Sequence, residues 1–172
     1  MWAIRRNIPN AITSLRLVAL PFLICSFSLE LTFVVYALFL FSIGTDFLDG
    51  YVARKKKSAS KFGSNLDASV DFLFISGMYS AFISKELYQP WILLLISLVF
   101  GQFVLTNFYA KRAIYDPVGK HYGSLLFGGI GLTLFFPVQV VYDIVPLGIV
   151  FSTVAVLLSR LVYFCVKKQK QY

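Results

Sequence analysis

Charge, cysteine and histidine are all scarce in this sequence. Asp, Glu, Lys and Arg make up 14% of the 172 residues, about half the soluble average, which excludes an ordinary water-soluble domain. Cys25 and Cys165 are too few and too far apart for a disulfide framework or a thiolate metal motif, and they read as packing residues within lipid. His121 is the single histidine, so no imidazole cluster can hold a metal. The apolar runs do not alternate with polar residues, which argues against a β-barrel. No repeat, low-complexity stretch or linker divides the chain. Residues 1–172 therefore read as one domain, with Lys167 to Tyr172 as a frayed basic tail. Arg5, Arg6 and the apolar run behind them resemble a secretory signal. That run continues to Leu29 without a small-residue cleavage site, so it reads as a first membrane span.

Apolar length is what the chain has in abundance. Hydrophobic residues account for 58%, and roughly 20 consecutive apolar residues cross a bilayer as a helix. Six such stretches follow one another: Ala11 to Leu29, Leu31 to Ala53, Phe62 to Ser84, Pro90 to Tyr109, Tyr122 to Val141 and Ile144 to Val166. The expected fold is all-α, an integral membrane bundle of six transmembrane helices. Net charge is +8, but its placement points away from nucleic acid. Arg5, Arg6, the run Arg54 to Lys57, Lys61, Lys111, Arg112, Lys120, Lys167, Lys168 and Lys170 fall on one side of the six spans. Glu30, Lys85, Glu86 and Asp143 fall on the other. This positive-inside pattern puts both termini in the cytoplasm of a multi-pass inner or plasma membrane protein. The basic loops are also drawn to anionic lipid headgroups. Asn10 or Thr13 is expected to cap the first helix behind Pro9. Glu30 should form the first external turn, Lys85 to Gln89 the second, and Tyr142 to Pro146 the last. Pro21 and Pro137 are expected to kink the spans they interrupt.

Acidic residues number only eight, and four of them lie in one stretch, Asp46-x2-Asp49-Gly50-x2-Ala53-Arg54-x8-Gly63-x3-Asp67-x3-Asp71. Intramembrane carboxylates are costly and usually functional. Asp46 and Asp49 are separated by about 60° around a helix, and Asp67 and Asp71 by about 40°, so each pair shares a face. The intervening loop centres near Ser58, nine residues from both Asp49 and Asp67, twelve from Asp46 and thirteen from Asp71. Antiparallel helices would then bring the pairs together as two layers near the cytoplasmic end. Four ionised carboxylates in a low dielectric need compensation. Two divalent cations that prefer hard oxygen ligands, Mg2+ or Mn2+, supply it. Protonation, or pairing with Arg54 and Arg16, is the alternative. Gly50 and Gly63 sit beside this layer, where a missing side chain either admits a ligand or lets helices pack closely. Arg54 is placed to grip a phosphate, or to snorkel to the interface.

That stretch resembles the full motif of the CDP-alcohol phosphatidyltransferase family, with every defining position and spacing present over 26 residues. Asn7-Ile8-Pro9-Asn10-Ala11-Ile12-Thr13 with Arg16 is similar to the start of phosphatidylglycerophosphate synthase-like members. The resemblance implies transfer of a phosphatidyl (or archaetidyl) group from a CDP-linked lipid to an alcohol, with release of CMP. It implies that Asp46, Asp49, Asp67 and Asp71 hold two metal ions and that Asp71 also serves as general base. It further implies that Asp49, Gly50, Ala53, Arg54 and Gly63 line the CDP site, and that the protein is a homodimer. Two positions depart from the pattern. Phe72 stands where many of these synthases carry lysine, and Ala68 and Ser69 stand where prolines often follow the third aspartate.

Outside the motif, Lys120, His121, Arg112 and Arg16 are the candidates for binding the acceptor, most simply the phosphate of glycerol 3-phosphate, with inositol phosphate as the alternative. The plainer explanation for the loop cations is topology-setting charge. Arg16 shares a helix face with Asn10 and Thr13, and either contributes to the active-site wall or snorkels. Arg160 is expected to snorkel. A cation transporter also uses intramembrane carboxylates, but it has no need of Gly50, Ala53, Arg54 and Gly63 around them.

Overall fold

The computed structural model describes residues 2–56, 61–109 and 117–169, and side chains over 15–45, 68–106 and 121–161. The described residues form six α-helices and no strand. These are α1 (Trp2–Ser28), α2 (Thr32–Lys56), α3 (Lys61–Ser84), α4 (Trp91–Tyr109), α5 (Pro117–Phe135) and α6 (Gln139–Gln169). The all-helical expectation holds, and α2, α3 and α4 begin within a residue of where the apolar runs begin.

Two of the connections are built alike. After α1, Leu31 N–H donates to Ser26 O at 2.9 Å and Glu30 N–H to Phe27 O at 3.1 Å. After α3, Leu87 N–H donates to Phe82 O at 3.0 Å and Glu86 N–H to Ile83 O at 2.9 Å. Both pairs close a Schellman motif, which satisfies carbonyls that the last helical turn would leave bare. The motif needs a left-handed residue, and Glu30 (φ 59) and Glu86 (φ 61) supply it where glycine is usual. A leucine follows each, in the position that ordinarily packs back on the helix.

Two expectations fail. α1 begins at Trp2, so Pro9 and Asn10 lie within the helix and do not start it. Pro9 forgoes one backbone bond, and the residues before it include no glycine or proline to stop the helix. The last connection lies at Phe136 to Val138, not at Tyr142 to Pro146. Pro137 has no N–H and disfavours the helical region for Phe136, so it terminates α5 and does not kink it. Tyr142 to Pro146 belongs to α6, which continues through Pro146, and Gln139 Nε2 donates to Asp143 Oδ1 at 3.2 Å along its first turn.

The chain divides into two compact units, Met1–Ala81 and Phe82–Tyr172. In the first, α1 packs on α2 and also on α3, where Gly77 lies under Leu20 and Ile24. In the second, α6 packs on both α4 and α5. Buried residues recur at helical spacing: Arg16, Ala19, Leu23 and Ser26 on α1, and Tyr122, Leu126, Ile130 and Leu134 on α5. Buried hydroxyls mostly bond back to their own helix, as Ser42 does to Leu38 O at 2.9 Å and Thr133 to Gly129 O at 2.8 Å. Among the described side chains, Gln139–Leu161 of α6 is the one stretch long and apolar enough to cross a membrane, with 22% of it buried. Shorter apolar stretches are Leu15–Ser28, Thr32–Thr45, Ala68–Ser84 and Trp91–Thr106.

Candidate active site

The acidic motif falls on two consecutive helices. Asp46, Asp49, Gly50, Ala53 and Arg54 lie in the C-terminal half of α2, and Gly63, Asp67 and Asp71 in the N-terminal half of α3. With both segments helical, the i, i+3 and i, i+4 spacings keep each aspartate pair on one helix face. The side chains of Asp46, Asp49, Ala53, Arg54 and Asp67 lie outside the described residues, as does the Ser58 connection. Among the described residues no three His, Cys, Asp or Glu side chains cluster.

Asp71 is the motif member whose side chain is described, and it forms an ion pair with Arg16 of α1. The guanidinium Nη1 donates to Asp71 Oδ1. Exposure divides the pair unequally: the Arg16 side chain is at 0% and that of Asp71 at 32%. A charge removed from water persists only if an opposite charge and hydrogen bonds compensate it, and the Asp71 carboxylate does this for Arg16. Arg16 neither snorkels nor faces solvent. It lies in phase with Ala19 and Leu23 on the buried stripe of α1.

The other candidates belong to the second unit. Arg112 lies outside the described residues, Lys120 in the first turns of α5 with its side chain outside them, and His121 on α5 with its side chain exposed. Arg160, expected to snorkel, is instead 6% exposed, with Nη1 3.5 Å from Gln102 Oε1 on α4. The signal for its burial was helical phase: Val145, Ile149, Ser152, Val156 and Arg160 recur every three or four residues, all buried. Tyr122 and Thr153 share a buried hydrogen bond at 2.9 Å between α5 and α6. Tyr88, after α3, bonds Thr133 at 2.6 Å. Burial raises its phenol above the usual tyrosine range, the Thr133 bond opposes that, and nearby Tyr142 adds to it, so Tyr88 stays a neutral partner.

A family model described as CDP-alcohol phosphatidyltransferase matches residues 6–166. A CDP-diacylglycerol--glycerol-3-phosphate 3-phosphatidyltransferase of Pseudomonas fluorescens is 32% identical over 104 residues, covering 59% of this chain and 53% of that one. The protein of the same name from Yersinia pestis (strain Pestoides F) is 32% identical over 88 residues, covering 49% and 47%. That of Haemophilus influenzae is 36% identical over 72 residues, covering 40% and 39%. The matches thus span about half the length of these relatives or less. No solved structure matches.

Proposed function

The chain belongs to the CDP-alcohol phosphatidyltransferase family, and from that premise we propose that it transfers a phosphatidyl group from a CDP-linked lipid to glycerol 3-phosphate, releasing CMP. The observation that carries this reading is the complete motif, with all eight of its defining residues distributed over α2 and α3. The acceptor is argued from the relatives, whose shared name specifies glycerol 3-phosphate.

Hard carboxylate oxygens suit Mg2+ or Mn2+, and the partial exposure of Asp71 leaves it accessible to a ligand. Asp46, Asp49, Asp67 and Asp71 would hold two such ions, which when bound neutralise the diphosphate and stabilise the departing CMP. Asp71 accepts the proton of the acceptor hydroxyl. The hydroxyl oxygen bonds to the lipid-side phosphorus, the bridging P–O bond breaks, and CMP departs with the bridging oxygen. Arg54 holds the diphosphate by charge-assisted hydrogen bonds, and Asp49, Gly50, Ala53 and Gly63 line the CDP site. Lys120, His121 and Arg112 supply cationic or hydrogen-bonding groups for the acceptor phosphate. The enzyme is proposed as a multi-pass membrane protein with six spans, both termini and the active site on the cytoplasmic side. That topology is supported by the one-sided distribution of Lys and Arg; the homodimer rests on the family resemblance alone.

The test is purified protein supplied with CDP-diacylglycerol, Mg2+ or Mn2+ and a panel of alcohols, scored by CMP release. Glycerol 3-phosphate should give the highest kcat/KM, and preference for inositol phosphate would replace the acceptor while keeping the chemistry. Asp71→Asn keeps an oxygen that accepts from Arg16 and should retain the fold. It removes the base, so turnover should fall by roughly 10²-fold or more. Near-normal turnover in that variant would sink the assignment.

A further inference from the structure

We propose that Arg16 is the positioning residue of Asp71: from inside α1 it fixes the carboxylate that acts on the acceptor, and does not itself touch substrate. The inference rests on the transferase reading above and deepens it. A guanidinium with no exposed surface cannot be reached by a ligand arriving from solvent or lipid, whereas the partner carboxylate keeps 32% of its surface. What the pair presents to a ligand is therefore Asp71. The partner is placed to orient as well as to neutralise, because a guanidinium donates along fixed directions in a plane.

The neighbouring packing sets how α1, which carries that donor, lies against α3. Leu20 and Ile24 lie one and two turns beyond Arg16 on the same α1 face, and they cover Gly77 of α3. A Cβ built on Gly77 would meet Leu20 Cδ2 at 3.0 Å and Ile24 Cδ1 at 3.4 Å. The ion pair joins residue 16 to residue 71, and the close contact joins residues 20 and 24 to residue 77. Both advance in the same direction, so α1 and α3 run parallel here and in register. Arg16 is thus anchored on a helix that touches α3 closely beyond the pair, and the Asp71 carboxylate inherits that placement. Misplacing a reacting group by about 1 Å can reduce the rate on the order of 10²-fold. A buried ion pair is weak evidence for stability by itself, which leaves orientation as the role that explains an arginine in this position.

The experiment compares Arg16→Gln, Arg16→Lys, Asp71→Asn and the Arg16→Gln/Asp71→Asn double variant of the full chain in detergent. CMP release is measured against acceptor concentration at saturating CDP-diacylglycerol, and thermal unfolding is measured separately without divalent cation. Arg16→Gln should lower kcat by about 10- to 100-fold, with the acceptor KM within about twofold of wild type. Arg16→Lys should recover part of the lost kcat. In unfolding, Asp71→Asn strips charge compensation from the buried guanidinium, and adding Arg16→Gln should restore part of the lost melting temperature. A tenfold rise in acceptor KM at unchanged kcat would make Arg16 an acceptor ligand and overturn the proposal, as would strictly additive losses of melting temperature. If the wild-type chain releases no CMP with any acceptor, the transferase reading fails, while the unfolding comparison still decides whether the two side chains are coupled.

Discussion

Glu86 shows how a single residue can be out of keeping with its backbone. It holds φ at 61° in the Schellman motif that ends α3, a conformation that costs a residue with a Cβ roughly 1–2 kcal/mol. Glycine avoids that cost but loses about 0.5–1 kcal/mol more backbone freedom on folding. The difference predicts that Glu86→Gly stabilises the chain by roughly 0.5–1 kcal/mol, whereas Glu86→Ala, which keeps the Cβ, is close to neutral. Thermal unfolding in detergent should resolve the two variants by about 1–4 °C. Equal melting temperatures for the Gly and Ala variants would show that the left-handed turn is not under strain. Glu30 has the same geometry.

Among the elements, the α1–α3 contact depends on a glycine. Gly77→Ala should be tolerated, because the atoms it meets are the far ends of Leu20 and Ile24, which can shift by a few tenths of an ångström. Gly77→Leu cannot be absorbed in that way. It should cost roughly 1–3 kcal/mol and, by parting α1 from α3, should lower transfer activity as Arg16→Gln does. Preserved activity with lowered stability would separate the packing from the ion pair. The helices themselves were largely legible, because continuous apolar runs and the breaks at Glu30 and Pro90 mark them directly. The α5–α6 boundary was not. Asp143 drew the expected turn towards itself, but a charge records where a chain approaches water, whereas Pro137 records where backbone bonding fails. The spacing of Asp46, Asp49, Asp67 and Asp71 was legible for the same reason as the helices, since it depends only on helical phase. The burial of Arg16 and Arg160 was legible only in part: helical phase aligns each with buried neighbours, but whether a long cation stays inside or snorkels depends on a partner from another helix, Asp71 or Gln102.

For the whole molecule, the proposed six-span arrangement can be set against helix length and charge placement. At 1.5 Å per residue, α4 and α5, with 19 residues each, are about 28 Å long, and α6, with 31, is about 46 Å. A hydrocarbon core is about 30 Å thick, so α4 and α5 are close to that thickness and α6 exceeds it. Thirteen of the sixteen Lys and Arg residues fall on the expected cytoplasmic side, and each basic residue near an anionic surface contributes about 1 kcal/mol of attraction. This bias predicts an orientation that single cysteines can read. In a Cys25→Ala/Cys165→Ala background, Lys85→Cys should react with a membrane-impermeant maleimide in right-side-out vesicles, and Ser58→Cys only in inverted ones. The opposite pattern would put the acidic motif on the outer face, away from cytoplasmic CDP-lipid and glycerol 3-phosphate, and would refute the proposed placement of the active site. Labelling of both positions from the same side would require an odd number of membrane crossings between them to become even, and so would remove α3 from the set of spans.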